Sequence, residues 1–547
     1  MTMARFVERH PGILIAAIAA LLFVPFLGGV HLFDWDEINF AEISREMIVS
    51  GDYLRPQIGF QPFYEKPPLF PWMQAAAMQL CGVGEFAARL PNALCGIATL
   101  LLLFRIGSSM GERRLGWLWV AFYAGSILPH LYFRSGIIDP WFNLFIFYGL
   151  YRFWKGTLEP ARARRHLLMA GTSLGAAVLA KGPVAWLIAG LCVVVYSAWQ
   201  RRLPYRRFAP WLLFAGATLV LPLFWFGLEV LIDGPEFVVE FLRYQLRLLL
   251  TPDAGHRGFP GYHVVVLLLG CFPASLFALP AFRRKAVGNP AQEDFRKWML
   301  VLFWVVLVLF SLVRTKIVHY SSLCYFPLTF LAAYYVDFLL RQKRALPGWL
   351  RISLVATTLI YAFATALLPW LGQHTEVLLP HLNDPFAAAN LQAEVDWSSP
   401  LNYLPAALLL LSLILFLSSL RNGRPGPAIL SVLVGTALFV QAGLYCFVGK
   451  IEAYSQRAAV EFCESLAGQE VYIKAVGYKS YVPFFYGKID ADGSPSRHDQ
   501  NWLLTGPIDR DAFFLTKIHR ADALRAFPDL EEIGQKNGFV FFRRKKK

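Results

Sequence analysis

Three carboxylates, Asp34, Asp36 and Glu37, fall within four residues of the segment Phe33–Asp34–Trp35–Asp36–Glu37–Ile38–Asn39–Phe40, directly after an apolar run. Carboxylates at the border of an apolar segment cost desolvation energy and often mark function. Asp36 also reads as a simple helix cap, because Asp is a preferred N-cap residue. A second group is Tyr64–Glu65–Lys66–Pro67–Pro68. Its two prolines stiffen the chain. Such a turn can present a lysine to a phosphate as a point charge, or hold a modest surface ion pair. Asp139 precedes Pro140 and is either a cap at a helix start or a second carboxylate at the same surface as Asp36. Lys181 lies in the tight turn Lys181–Gly182–Pro183, where a retained cation suggests an anionic partner. Glu236, Glu240, Arg243 and Arg247 share one stripe of an amphipathic helix, whose arginines could meet lipid phosphate or simply be solvated. Arg134, then Arg314, Lys316, His319, Tyr320 and Tyr325, complete the set. Acids and bases gathered at one membrane surface suit a single chemistry, in which cations hold a phosphate while carboxylates handle a sugar or an acceptor.

The elements that must position these residues follow from composition. Of 547 residues, 56% are hydrophobic and 16% charged, and the mean hydropathy is +0.46. Soluble proteins carry about 25% charged residues, so the chain is too apolar for that class. About 13 runs are long and apolar enough to span a bilayer: 11–30, 86–106, 114–131, 138–154, 166–180, 183–199, 209–231, 262–282, 298–313, 320–340, 351–371, 403–420 and 427–447. The first reads as a retained transmembrane helix, since it ends in Gly28–Gly29–Val30–His31 without a small-residue cleavage site.

The net charge of +15 does not indicate a nucleic-acid partner, because Lys and Arg sit in short loops between apolar runs. With the N-terminus in the cytoplasm, every cytoplasmic loop is short and basic. Contacts with anionic membrane lipids are expected. The opposite side then carries the segments 31–85, 232–261 and 372–402, and the C-terminus. The fold class is therefore an all-α polytopic membrane protein, with a transmembrane domain over 1–447 and a small α/β domain over 448–547. In the latter, 470–473 and 538–542 read as strands and 520–527 as a short helix. The run after Asp36 has helical spacing, ends at Gly51, and reads as an amphipathic helix lying on the membrane. Seven cysteines show no paired spacing, so no disulfide framework is expected. Glu65 with an external histidine, His256 or His263, could bind zinc, but the spacing carries no such signal. No cofactor is expected to be required; a divalent metal is left open.

The string Trp35–Asp36–Glu37–Ile38–Asn39–Phe40–Ala41–Glu42–Ile43–Ser44–Arg45–Glu46–Met47, followed by Tyr64–Glu65–Lys66–Pro67–Pro68 and Arg89–Leu90–Pro91, resembles a known family. It is similar to the bacterial 4-amino-4-deoxy-L-arabinose lipid A transferases and their protein O-mannosyltransferase relatives, which are polyprenyl-phosphate-dependent glycosyltransferases of the GT-C fold. The resemblance is strongest over 31–183. It implies transfer of aminoarabinose from undecaprenyl phosphate to lipid A phosphates at the periplasmic face of the bacterial inner membrane, by a monomer, conferring resistance to polymyxin and other cationic antimicrobial peptides. By position it implies Asp36 and Asp139 as the catalytic pair. It implies Lys66 at the donor phosphate; on the transferase reading Tyr64, Arg243, Arg247, Lys316 and Tyr325 are the further candidates for the donor phosphate and lipid. Glu37, Glu65, Arg45, Arg134, Lys181, His319 and Tyr320 would meet sugar or acceptor. The family's K-L-P-x-Y segment is altered here to Lys316–Ile317–Val318–His319–Tyr320. Transfer to protein hydroxyls is the alternative within enzymes, and lipid transport the alternative outside them.

Overall fold

Helix forms at every apolar run, because in a bilayer only intrachain hydrogen bonding satisfies the backbone. The computed structural model describes residues 9–250, 258–283, 289–492 and 494–546. Among these, seven helices are individually long and apolar enough to cross a membrane: Glu85–Ser109, Ala209–Asp233, Pro290–Leu312, Val318–Arg341, Gly348–Gln373, Pro400–Arg421 and Pro425–Ala453. Pro11–Phe23 and Val184–Gln200 are apolar but shorter. The chain is a polytopic, predominantly helical membrane protein.

Two expected spans are not single rods. The run 114–131 splits into Arg113–Ala124 and Ile127–Leu131. At the break Ser126 turns its hydroxyl back to the Phe122 carbonyl, and the Ile127 amide donates to Phe272 instead of to its own helix. The run 262–282 splits into Tyr262–Gly270 and Ala274–Arg283, inclined by 114°. Pro273 lies in the break, where it can supply no amide to continue the ladder.

The largest departure concerns the Asp36–Ser50 helix. It ends on Gly51, as the sequence predicts, in the left-handed conformation, but it does not expose a polar face. Every residue from Glu37 to Met47 is buried. Ile38 and Ala41 pack with Ala87, Ala88 and the C-terminal domain. Phe40, Ile43 and Met47 pack with Phe63, Phe70 and Ile138. Its polar side chains are satisfied internally. Glu42 takes two hydrogen bonds of 2.7 Å from Arg45, and Glu46 accepts from the amides of Gly59 and Phe60. Those amides belong to the tight turn between β1 (Gln57–Ile58) and β2 (Gln61–Pro62).

The C-terminal domain is a four-stranded sheet built from β3 (Tyr472–Ala475), β4 (Ala512–Lys517), β5 (Glu531–Lys536) and β6 (Phe539–Arg544). The strand order is β3-β4-β6-β5, parallel between β3 and β4 and antiparallel elsewhere. The expected strands at 470–473 and 538–542 become β3 and β6, and the expected helix is Ala521–Arg525. Alternation along β4 divides the work. Phe513 and Leu515 face the 36–50 helix and its neighbours, while Ala512 and Phe514 face Leu503, Leu504 and Leu524 of the domain itself. The 372–402 segment closes one end: Phe386 packs edge-on against Phe539, and the Gly538 amide donates to Asn390.

Glu37 and Arg89 form a bidentate pair with bonds of 3.0 and 2.7 Å, and each side chain is only 7% exposed. Burial works to raise the Glu37 carboxyl; the Arg89 charge and its hydrogen bonds outweigh it and hold the group below the usual carboxylate range. Arg89→Met should destabilise the folded protein by about 3–5 kcal/mol, because it strands a buried carboxylate. Thermal unfolding in detergent measures this, and the Glu37→Gln/Arg89→Met double variant should lose less than the sum of the singles. A loss below about 1 kcal/mol, the range of exposed pairs, would contradict a buried anchor.

Candidate active site

A cavity of about 1000 Å3 opens where the start of the 36–50 helix, the 131–143 segment, the 181–188 turn and the 309–323 segment converge. One wall is apolar, with Leu187, Ile188, Leu309, Phe310, Leu323 and Leu444. The rest of the lining includes a charged cluster of Asp36, Glu65, Lys66, Asp139, Lys181 and His319. An apolar chamber with a charged head suits an amphiphile with an anionic headgroup.

Asp36 reaches the cavity because the chain turns sharply just before it. Trp35 has φ of 77°, a conformation that strains a bulky residue by about 1–3 kcal/mol. It is held there by local bonds: the Trp35 amide donates to Asp34 Oδ1, and the Trp35 carbonyl accepts from the Asn39 amide. Asp36 then begins the helix. Its carboxylate makes no capping bond, contrary to the cap reading, and is 43% exposed. His319 Nε2 lies 3.4 Å from Asp36 Oδ2 and 3.8 Å from Asp139 Oδ2. One imidazole therefore stands between the two carboxylates named from the sequence.

Asp139 is not a cap either. Its Oδ1 accepts a 2.6 Å bond from Lys181 Nζ. Its Oδ2 is buried and takes no hydrogen bond, so it is a polar atom at the cavity wall that a substrate donor would satisfy. Asn92 fixes the preceding loop by donating to the Ser135 and Ile137 carbonyls. Lys181 lies 5.1 Å from the Tyr320 ring and 5.5 Å from the Phe142 ring. Gly182 permits this turn: its φ is +119°, and a Cβ there would meet the Phe241 ring at 2.9 Å.

Lys66 faces the cavity, with Nζ 4.8 Å from the Tyr244 ring centre. It does not pair with Glu65. That carboxylate turns to Lys479 of the C-terminal domain, at 3.7 Å. Burial pushes the Lys66 ammonium below its ordinary value of 10.5, against the opposing pull of Glu65 and Asp36.

Other residues singled out in the sequence have different employment. Glu37 borders the cavity, but its oxygens receive Arg89 and the amides of Phe33 and Gly136. Arg134 gives its guanidinium to the Leu22 and Pro25 carbonyls and to Gln441. Arg45 is committed to Glu42 and the Ile489 carbonyl, away from the cavity. Lys316 donates to the carbonyls of Phe310, Ser311 and Val313, closing a helix end. Tyr325 is buried against Tyr132. Tyr64 reaches Glu236 at 3.3 Å. Arg243 pairs with Glu240, and Arg247 lies 5.1 Å from the Tyr244 ring; neither lines the cavity. His256 lies outside the described residues. His263 is buried, and among the described residues no cluster of three His, Cys, Asp or Glu side chains is arranged to hold a metal. Sequence reasoning missed Lys479 and Tyr481, which reach the cavity from the C-terminal domain. Their only local signal is a lysine flanked by tyrosines in Tyr478–Lys479–Ser480–Tyr481.

The helical bundle, the buried first-loop helix and the appended sheet define a polytopic membrane protein of the GT-C type. Comparison with known proteins returns the resemblance read from the motifs. Residues 65–226 match the family model for dolichyl-phosphate-mannose-protein mannosyltransferase. Curated relatives named undecaprenyl phosphate-alpha-4-amino-4-deoxy-L-arabinose arabinosyl transferase include those of Shewanella sediminis, 26% identical over 58% of this chain and 59% of the relative, and Aeromonas salmonicida, 29% identical over 56% and 57%. That of Pectobacterium carotovorum is 27% identical over 68% and 66%. The chain thus matches less than two thirds of the length of the first two relatives. The crystal structure of ArnT from Cupriavidus metallidurans bound to undecaprenyl phosphate superposes with a TM-score of 0.74 at 19% identity, covering 97% of both chains. Its apo form gives 0.73 at 18% identity. The fold is shared from end to end.

A lysine with a depressed pKa loses its charge as pH rises through that lowered value. Binding of an amphiphile with a phosphate headgroup beside Lys66 should therefore weaken with rising pH before an ordinary lysine would titrate. Lys66→Arg should hold binding to higher pH, because a guanidinium stays charged. Titrating binding against pH for both proteins tests this. Two coincident profiles would remove Lys66 from the anion contact.

Proposed function

We propose that the chain is a glycosyltransferase that moves 4-amino-4-deoxy-L-arabinose from undecaprenyl phosphate to phosphate groups of lipid A. The reaction would occur at the periplasmic face of the bacterial inner membrane, with the N-terminus cytoplasmic and the C-terminal domain periplasmic, and would confer resistance to polymyxin. The observation that carries the reading is one cavity that joins an apolar wall to Asp36, Asp139, His319, Lys66 and Lys181. The names of the curated relatives and the undecaprenyl phosphate of the similar crystal structure support the choice of donor. The short basic loops support the orientation.

In this scheme an oxygen of the acceptor phosphate attacks the anomeric carbon. The bond from that carbon to the donor phosphate oxygen breaks, and undecaprenyl phosphate leaves with the electron pair. A phosphate monoester becomes a diester as the donor diester becomes a monoester, so no proton has to move. The attacking phosphate is already ionised near neutral pH, and a strong general base is unnecessary. Asp36 stabilises positive charge developing on the sugar. Asp139, with its unsatisfied Oδ2, accepts from the sugar, aided by Glu65. Lys66 stabilises the leaving phosphate as a point charge.

Purified protein with undecaprenyl-phosphate aminoarabinose and lipid A should give modified lipid A by mass spectrometry, in detergent and without an ion gradient. Asp36→Asn should lower turnover about 100-fold or more, the size of a lost electrostatic contact. Equal product from both proteins would remove Asp36 from the chemistry. No product from the wild type would overturn the choice of donor and acceptor.

A further inference from the structure

The proposed reaction brings two phosphates into one chamber, one leaving and one attacking, and each needs a cation at short range. The cavity offers fewer than its lining suggests. Arg89 is committed to Glu37 and to the carbonyls of Leu27, Val30 and His31. Arg134 is committed to main-chain carbonyls and Gln441, and Lys181 to Asp139. Among the described residues, two lysines of the lining make no hydrogen bond to a protein acceptor. One is Lys66. The other is Lys479, which the C-terminal domain contributes to the cavity lining.

We infer, on the transfer reading above, that Lys479 binds the acceptor's phosphate and that the C-terminal domain is thereby part of the acceptor site. Lys479 Nζ lies 5.1 Å from the Trp35 ring centre and 5.2 Å from that of Tyr481. Aromatic faces hold a cation without consuming its N–H donors. Glu65, the nearby carboxylate, stands at 3.7 Å, beyond a hydrogen bond. The lysine is thus seated by two rings and a loose ion pair with Glu65, and none of its N–H donors is spent on a short hydrogen bond among the described residues.

Its exposure fits an acceptor more than a donor. The side chain is 51% exposed, whereas Lys66 is more enclosed. The donor's reacting sugar and phosphate must enter the chamber. Lys479, the more exposed of the two lysines, lies where a bulky glycolipid acceptor can bring its phosphate into the same chamber from the solvent side. A lysine point charge accepts a range of phosphate orientations. The loop that carries it is pinned to the first loop. Asp34 Oδ1 accepts from the Tyr481 amide at 2.9 Å and from the Trp35 amide at 2.8 Å. Gln456 clasps the same segment through the Asp34 amide and the Leu32 carbonyl. Burial raises the Asp34 carboxyl, against those hydrogen bonds. Trp35, strained to place Asp36, therefore also supplies one face of the Lys479 seat.

Lys479→Met keeps an apolar stem against the two rings and deletes only the charge. In steady-state transfer with undecaprenyl-phosphate aminoarabinose and lipid A, it should raise the acceptor KM about tenfold or more, as expected for a lost hydrogen bond to a charged group. The donor KM and the affinity for undecaprenyl phosphate should stay within about twofold. Lys479→Arg should restore most of the acceptor affinity. An unchanged acceptor KM, or equal losses for donor and acceptor, would overturn the assignment. Unaltered undecaprenyl phosphate binding excludes misfolding as the cause; if the Met variant does not bind it, the Arg variant carries the test, and a rise in donor KM alone would refute the role. A wild type that binds undecaprenyl phosphate but transfers nothing would instead sink the transfer reading itself.

Discussion

A buried carboxylate needs a partner where it stands, and Glu37 finds its partners only where three separate pieces of chain converge. Its oxygens take Arg89 from the first long membrane helix, the Phe33 amide from the loop before it and the Gly136 amide from the segment leading to Asp139. Arg89 in turn collects the carbonyls that end the first apolar run. Few interactions tie so many elements at once, and no member can leave without stranding a charge in a medium that penalises it heavily. Asp36 is the next residue along the chain and Asp139 follows three residues after Gly136. The pair therefore sets the relative position of two cavity carboxylates.

Arginine and lysine divide the labour in this molecule. Arg45, Arg89 and Arg134 lie buried or half-buried, and their forked donors are absorbed by carboxylates and by carbonyls at helix ends. That is a structural use of a planar guanidinium. The cavity instead draws on lysines, whose compact charges can turn toward a mobile phosphate. Lys316 breaks the division: it spends its ammonium on three carbonyls, and the altered residues around it leave His319 to occupy the space between the carboxylates.

The membrane bundle was largely legible in the sequence, because a bilayer demands length and apolarity and both can be counted. Asp36, Asp139, Lys66, Lys181 and His319 were legible as a group for a related reason: ionisable residues beside apolar runs are costly and stand out. The 36–50 helix was misread. Its spacing is amphipathic, but its polar face is buried by partners distant in the chain, Arg89 and the 59–60 amides, and by Ile489 through Arg45. No local pattern encodes such partners. The same limit hid β4 and β5. β4 is apolar on both faces because both are covered, and β5 is an exposed edge rich in Glu and Lys, so neither shows the alternation of a half-buried strand.

What the sequence divides into a membrane domain and a soluble tail, the fold joins. One face of the sheet shares its core with the membrane domain: Phe513, Leu515 and Phe541 cluster with Val460, Val482 and Phe485 of their own domain and with Ile38, Ala41 and Ala87. His31 strengthens the seam by donating to Glu452 at 3.0 Å, and that bond, with the nearby carboxylates, raises the imidazole above its usual pKa against the effect of burial. The seam runs from residue 31 to residue 35, immediately beside Asp36. The C-terminal domain is thus held against the polar end of the cavity by the same short segment that presents the carboxylate, and any displacement of the domain must disturb the hydrogen bonds of Tyr481 and Gln456 to Asp34, the residue that in turn receives the Trp35 amide.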